Sequence, residues 1–288
     1  MVKPSIQKQL DSVSMILEQH EELQGALELK KKTLLAQLKI DSTLTKGLSI
    51  DWNNIGTIKD LQQKALDKKL PIIYFLDPAK KEQDVMIIAF KKIVEALIEK
   101  NISNEGLHNL LSYFESGKIR LSELIEASLK ENLRVIEETA KKTGVKAELL
   151  LYVVSALIQP GLEEVARKID SEFSDKWWQG SCPVCGRIPS VAINRRGKRF
   201  LVCSYCGTEY LGKNFFCVHC GNNDPYTLKF IAVKTDPGFK IDFCTKCNQY
   251  IKVLEETKLQ KEPIPKGLED ILTLNLDFLA KDAGLVRN

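Results

Sequence analysis

The stretch Cys182–Gly207, CPVCGRIPSVAINRRGKRFLVCSYCG, places two Cys-x-x-Cys pairs on either side of a basic loop. A second unit follows at once, from CVHCG at Cys217 to FCTKCNQ ending its pair at Cys247. The eight cysteines of the 288-residue chain are Cys182, Cys185, Cys203, Cys206, Cys217, Cys220, Cys244 and Cys247. All of them stand at the same i, i+3 interval, which a disulfide framework has no reason to produce. In a reducing compartment such pairs read as metal ligands. The residue after each second cysteine is Gly186, Gly207, Gly221 or Asn248, types that tolerate the left-handed backbone of a metal knuckle. That backbone lets knuckle N–H groups bond to sulfur and tune the site.

Pairing in chain order gives one site from Cys182, Cys185, Cys203 and Cys206, with 17 residues between its halves. The other takes Cys217, Cys220, Cys244 and Cys247, with 23 between. Interleaved pairing is less economical but open. Tetrahedral four-sulfur coordination suits both iron and zinc, with zinc expected in recombinant protein. A closed site has no open position for water, which argues against metal-ion hydrolysis. With every cysteine used, no thiol nucleophile remains. No Ser/His/Asp constellation, phosphate-cradling glycine loop or His-Glu-x-x-His pattern is present, so the chain is not expected to be an enzyme. His219, between two ligands, is expected to point away from the metal.

The formal net charge of +4 is a small excess and does not by itself imply nucleic acid. Between Cys182 and Lys252, eleven Lys/Arg oppose four Asp/Glu, a balance of +7. Two zinc tetrathiolates reduce this to about +3, two ferric ones to about +5. The basic loop NRRGKR, Asn194–Arg199, is thus expected to offset thiolate charge and to offer partner contacts. A phosphate grip is the alternative, and would make this a zinc-ribbon nucleic-acid binder.

Upstream of Gly180 the chain reads as helix. From Ser5 to about Lys39, Ile6, Leu10, Val13, Leu17, Leu27, Leu34 and Leu38 keep helical spacing, interrupted at Gly25. GLSIDWNNIG supplies turn residues, and helical stretches follow at Lys59–Leu70, Asp84–Lys100, Glu105–Glu115, Leu121–Thr143 and Lys146–Ile158. Gln159–Gly161, QPG, predicts a kink or boundary before a last helix toward Trp178. From Cys182 short β-like runs, SVAI, RFLVC, TLKFIAV and KIDFC, alternate with the cysteine turns in the manner of zinc ribbons and rubredoxin-like knuckles. A closing helix over Leu268–Lys281 is expected to turn Ile271, Leu274, Phe278 and Leu279 inward. The fold class is therefore α plus small β: an all-α domain over 1–180, metal modules over 181–212 and 213–255, and a linker with a helix that packs back over 256–288. The N-terminus lacks the apolar core of a signal peptide. The longest apolar run, Leu149–Ile158, is shorter than the ~20 residues of a membrane span. A soluble cytoplasmic chain with no membrane insertion is expected.

Taken together, QPGLEEVARKI, W…CPVCGRIPSVA, RFLVCSYCGTEY, FFCVHCG and FCTKCNQYIKVL resemble the formate dehydrogenase accessory protein family, FdhE, as does LEDILTLNLDFLAKDAG with its Asp270 and Asp277. The resemblance implies a cytoplasmic assembly factor that binds the molybdenum- or tungsten-pterin catalytic subunit of a formate dehydrogenase before its export or assembly. It also implies two rubredoxin-like sites built by the eight cysteines and associated with iron. Arg199, Thr208 and Glu209 fall on a family motif as partner-contact or local hydrogen-bonding residues. Tyr210 stands where the family usually has tryptophan, Asn248 where it has glycine, and Glu21 follows His20 where proline is common. A rubredoxin-like electron carrier is a further reading, which leaves the helical region unexplained.

Overall fold

In a computed structural model the described residues are 5–39, 55–76, 83–98, 104–129, 132–234, 236–259 and 264–287. Most of the GLSIDWNNIG turn lies outside them. Over the described residues the chain gathers into two compact units: Ser5–Asn54 with Ile73–Glu164, and Ile55–Ile72 with Val165–Asn288. Contiguity in space thus does not follow contiguity along the chain.

The first unit is helical: α1 Ile6–Leu17, α2 Gln24–Lys39, then, after α3 Ile55–Lys68 of the other unit, α4 Gln83–Ile98, α5 Asn104–Glu115, α6 Leu121–Leu129, α7 Leu133–Thr143 and most of α8 Ala147–Lys168. Ser5 caps α1 by accepting from the Lys8 N–H, and Ile6, Leu10, Val13 and Ile16 form its buried stripe. The break between α1 and α2 falls at Glu18–Leu23, where His20 takes an extended conformation (φ −131°, ψ 78°), and not at Gly25, which lies in the first turn of α2. Gly144 closes α7 at φ 77° with its N–H on the Ala140 carbonyl. A Cβ on Gly106 of α5 would stand 2.6 Å from the Gly144 oxygen, so glycine is required for that approach.

The expected break at QPG does not occur. α8 runs unbroken through Pro160, and Leu150, Val153, Val154, Leu157, Ile158 and Leu162 are all buried. A proline inside a helix deprives the carbonyl four residues earlier, Ala156, of its intrahelical partner. The buried Gln37 of α2 supplies it, Nε2 donating to the Ala156 oxygen at 2.7 Å. α8 is, by length and composition alone, apolar enough to cross a membrane, but 78% of its apolar window is buried in the protein, as in a core helix.

The second unit carries α3, α9 Ser171–Lys176 and strands β1 Val191–Arg195, β2 Lys198–Val202, β3 Glu209–Gly212, β4 Leu228–Ala232, β5 Phe239–Cys244 and β6 Tyr250–Glu255, then α10 Glu269–Leu272 and α11 Leu274–Asp282. The strands form one six-stranded sheet in the order β3-β2-β1-β6-β5-β4. Each half is an antiparallel ribbon, and the two are joined by parallel pairing of β1 with β6, Val191 opposite Lys252 and Asn194 opposite Glu255. The strands β3 and β6 were not anticipated. β6 is buried along almost its whole length, and its central Lys252 hides the apolar run.

Lys252 is fully buried and is the anchor of the C-terminal helices. Its Nζ lies 2.6 Å from Asp270 Oδ1 and 2.8 Å from Asp277 Oδ2, and donates to the Asp270 carbonyl at 2.8 Å. Tyr250 donates its hydroxyl to Asp277, and Arg287 grips Asp270 with two nitrogens and Asp277 with one. Two cations thus meet two carboxylates, and each carboxylate keeps several donors. Leu276 and Ala280 pack on Ile241 and Tyr250 beside this cluster. The expected inward face of the closing helix is corrected: Phe278 and Leu279 are exposed. The helix breaks at Thr273 (φ −115°, ψ 24°), which resets its rotational phase.

Two outcomes follow from these contacts. Gln37→Leu should lower stability by about 1–3 kcal/mol by orphaning the Ala156 carbonyl, and adding Pro160→Ala should recover part of the loss; chemical denaturation of the four variants measures both. Burial pushes the Asp270 carboxyl up, but Lys252 and Arg287 outweigh it and hold its pKa below the ordinary value. A depressed carboxylate stabilises the fold above its unfolded pKa and loses that contribution as pH falls through the folded one. Asp270→Asn should therefore cost on the order of 3 kcal/mol near neutral pH, with the gap to wild type closing below about pH 4 in thermal melts.

Candidate metal centres

Each centre is built from two copies of one backbone turn. In all four, the first cysteine donates its N–H to the carbonyl five residues on, and the residue after the second cysteine donates back to the first. For Cys182 these bonds are 2.9 Å to Arg187 and 2.9 Å from Gly186; for Cys203, 3.0 Å to Thr208 and 2.8 Å from Gly207. For Cys217 they are 2.8 Å to Asn222 and 2.9 Å from Gly221; for Cys244, 3.0 Å to Gln249 and 2.8 Å from Asn248. Gly186, Gly207, Gly221 and Asn248 all have positive φ, from 58° to 80°. A β-carbon is tolerated at Asn248 because Asn visits this region readily. Its amide also donates to the Gly284 carbonyl at 2.6 Å, and its own carbonyl accepts from Val286. The departure from glycine thus ties the fourth knuckle to the end of α11.

These turns bring the sulfurs together in chain order, Cys182, Cys185, Cys203 and Cys206 in one cluster and Cys217, Cys220, Cys244 and Cys247 in the other. Within each, all sulfurs lie within 4.8 Å of one another. Sulfur separations of 3.5, 3.4 and 3.7 Å in the first cluster, and 3.6 and 3.8 Å in the second, are too long for disulfides. A tetrahedral ion with metal–sulfur bonds of ~2.3 Å sets its sulfurs roughly 3.8 Å apart, so both donor sets fit a zinc or iron ion. Either ion would serve there as a four-sulfur cross-link.

Segments far along the chain position the first cluster. Gln62 of α3 donates to Asp170 Oδ2 at 2.7 Å and accepts from the Asp170 N–H, while Asp170 Oδ1 caps α9 on Phe173. Trp177 then donates to the Ser181 carbonyl, Tyr210 to the Gly180 carbonyl, and Ile72 to Pro183 inside the first knuckle. Tyr210 is buried and still finds a backbone partner. Arg187 stacks on the Tyr205 ring, 3.5 Å from its centre, over the knuckle of Cys203.

The sulfur environments differ. Burial pushes the Cys182 and Cys185 thiols well up, while bonds from the other three sulfurs hold Cys203 well down. Thr208 Oγ1 lies 3.0 Å from Cys206. In the second cluster, burial pushes Cys217 up to about 12. Burial also raises Cys244, but N–H groups of Cys247 and Lys246 and the Asn222 amide outweigh it and bring that thiol down to about 7. Asn222 reaches this sulfur at 3.4 Å while donating to Thr227 Oγ1. His219 turns away from the sulfurs, its Nε2 3.0 Å from the Tyr250 carbonyl.

The expected role of the basic loop is corrected. Arg195 pairs with Glu209 at 2.9 Å and Glu256 at 2.7 Å, and buried Arg199 pairs with Asp242 at 2.6 Å. These arginines offset carboxylates across the sheet, not thiolates. Arg196 (φ 49°) and Gly197 (φ 76°) make the hairpin turn, and only Arg196 and Lys198 of the loop's cations are exposed. Thr208 bonds locally to Cys206, whereas Glu209 meets Arg195 across the sheet. Sequence reading missed Asn222, Asp242 and Lys252; the contacts that matter, with Cys244, with Arg199 and with Asp270 and Asp277, reach partners distant in the chain. Cys203→Ser should reduce bound zinc or iron by one ion per chain and open 182–212 to protease, with the helical unit still protected. Limited proteolysis with metal analysis reads both.

No protein-family model matches the chain. A protein named FdhE homolog from Aquifex aeolicus (strain VF5) is 32% identical over 176 residues, 59% of this chain and 60% of that protein. The FdhE homolog of Stutzerimonas stutzeri (strain A1501) is 33% identical over 124 residues, 41% of this chain and 39% of that protein. The matches thus span less than two thirds of either relative. The crystal structure of FdhE from Pseudomonas aeruginosa superposes with a TM-score of 0.55 at 17% identity, covering 99% of this chain and 95% of that one. In sequence along the matched segment and in fold over nearly its whole length, the chain is FdhE-like.

Proposed function

We propose that the chain is a cytoplasmic accessory protein that binds the catalytic subunit of a formate dehydrogenase, or of a related molybdenum or tungsten oxidoreductase, before export or assembly. The observation that carries this reading is the likeness to FdhE homologs, together with two tetracysteine clusters built into one sheet. On this reading the chain performs no chemistry of its own. The eight cysteines hold two iron or zinc ions that stiffen a binding surface. The working parts follow composition: helices over 1–180, metal modules over 181–212 and 213–255, and a closing segment over 256–288. Internal pairing of Arg195 and Arg199 removes the first and last of the four cations of NRRGKR from any phosphate grip, which disfavours the nucleic-acid reading.

Affinity purification from the native host under anaerobic conditions should recover an oxidoreductase catalytic subunit that persists after nuclease treatment. Metal analysis of the same sample should find two ions of iron or zinc per chain. Recovery of nucleic acid in place of that subunit would overturn the proposal.

A further inference from the structure

The two sulfur clusters are not equivalent. Cys182, Cys185, Cys203 and Cys206 are all buried, whereas Cys220 is exposed and Cys247 half-buried. The sheet carries α10 and α11 on the face of Ile241, Tyr250 and Lys252. By the two-residue alternation of strands, Leu228, Phe230, Asp242 and Cys244 lie on the opposite face, which is open along β4 and β5. A groove of ≈ 550 Å³ is lined there by Phe215 and Phe230, each 64% exposed, and by Cys217 and Cys244 of the second cluster. A dissolved ligand can thus approach the sulfurs of the second cluster and none of the first.

The second cluster also holds the chain end. Asn248 closes its last turn; the Asn248 amide donates to the Gly284 carbonyl at 2.6 Å, and the Asn248 carbonyl accepts from the Val286 N–H at 3.0 Å. Gln249, whose carbonyl accepts from the Cys244 N–H, is bridged to Val286. Between these anchors Leu285 is buried with Ile241, Tyr250, Leu276 and Ala280. Beyond them Arg287 grips Asp270 and Asp277. The other three knuckles close on glycine, whereas Asn248 holds φ 58° with a β-carbon. An ion across Cys244 and Cys247 and the bonds to Gly284 and Val286 therefore fix the same turn. Two restraints on one turn strengthen each other by an equal factor.

We propose that the second centre is an exchangeable metal site, the first being permanently held, and that its occupancy latches the C-terminal segment onto the sheet. The ion exchanged is a thiophilic divalent one, zinc or ferrous iron. Cys220 and Cys247 are the ligands that an incoming chelator displaces first. The exchange is ligand substitution with no redox change. Each thiolate that releases the ion takes a proton from solvent, and a donor atom of the chelator takes its place on the ion. Such a latch operates whatever protein the chain binds.

The test mixes the full zinc-loaded chain with excess pyridylazoresorcinol, a coloured zinc chelator. One zinc per chain should leave at least about tenfold faster than the other. Iodoacetamide added between the two phases, with mass mapping, should label Cys217, Cys220, Cys244 and Cys247 and spare the other four cysteines. In the same sample the Leu285 and Val286 amides should exchange hydrogen at least about tenfold faster than in the zinc-loaded chain, with α8 unchanged. Glycine suits φ 58° better than asparagine, so turn preference alone would make Asn248→Gly release its ion more slowly. Loss of the bond to Gly284 should instead speed the fast phase about threefold or more. Val286→Pro, which removes the N–H bonded to Asn248, should act likewise, with the slow phase unchanged in both variants. Equal release of the two ions or labelling of Cys182, Cys185, Cys203 and Cys206 in the fast phase overturns the proposal. So does unchanged exchange at Leu285 and Val286, or a fast phase that is no faster in either variant.

Discussion

The parallel pairing of β1 with β6 is the interaction on which the metal-bearing unit depends. Each tetracysteine ribbon by itself is a three-stranded antiparallel sheet, a small structure with little core. Joining the first strand of one ribbon to the last strand of the other makes a single sheet in which β1 and β6 are interior. The bond from the Lys252 N–H to the Ser190 carbonyl lies at this seam. Because the ribbons are joined in the same sense, like strands repeat across the sheet, and the edges fall on β3 and β4. The metal sites then serve as cross-links inside one continuous body.

Burial of Lys252 follows from that seam. A strand covered on both faces leaves no route to water for a long cationic side chain, so its ammonium must be met inside. Asp270 and Asp277 meet it, and Arg287 balances their second charge. The spacing of those two aspartates in the closing segment therefore has a structural cause: both must reach one nitrogen from either side of the break at Thr273. The chain end becomes part of the sheet's support, held also by Asn248 and by the bridge of Gln249 to Val286.

The helical unit shows a similar compensation. Pro160 reads locally as a helix breaker, yet its helix continues because burial on nearly every side outweighs one lost hydrogen bond, and Gln37 occupies the freed carbonyl. The two sulfur clusters differ in a comparable way. The first is sealed, with every cysteine buried, whereas Cys220 of the second is exposed and Cys247 half-buried. The cause is position: Tyr205, Tyr210 and the loop from Trp177 to Pro183 close over the first cluster, and the second stands beside the open face of the sheet.

By themselves the residues of the sequence determined what is local. The four knuckles were legible because a Cys-x-x-Cys turn followed by Gly or Asn is a complete structural instruction within six residues. The helices were legible from apolar spacing, and β1, β2, β4 and β5 from short β-branched and aromatic runs. Whatever depends on partners far along the chain was left to the tertiary structure. That includes the joining of two ribbons into one sheet, the strands β3 and β6, and the gathering of Ile55–Ile72 with the metal clusters. It also includes the direction of Arg195 and Arg199 toward carboxylates, and the inward face of α11. The physical reason is the same in each case. A turn is decided by dihedral preference and neighbouring hydrogen bonds. The pairing of a strand, or the destination of a charge, is decided by which distant group burial forces it to meet.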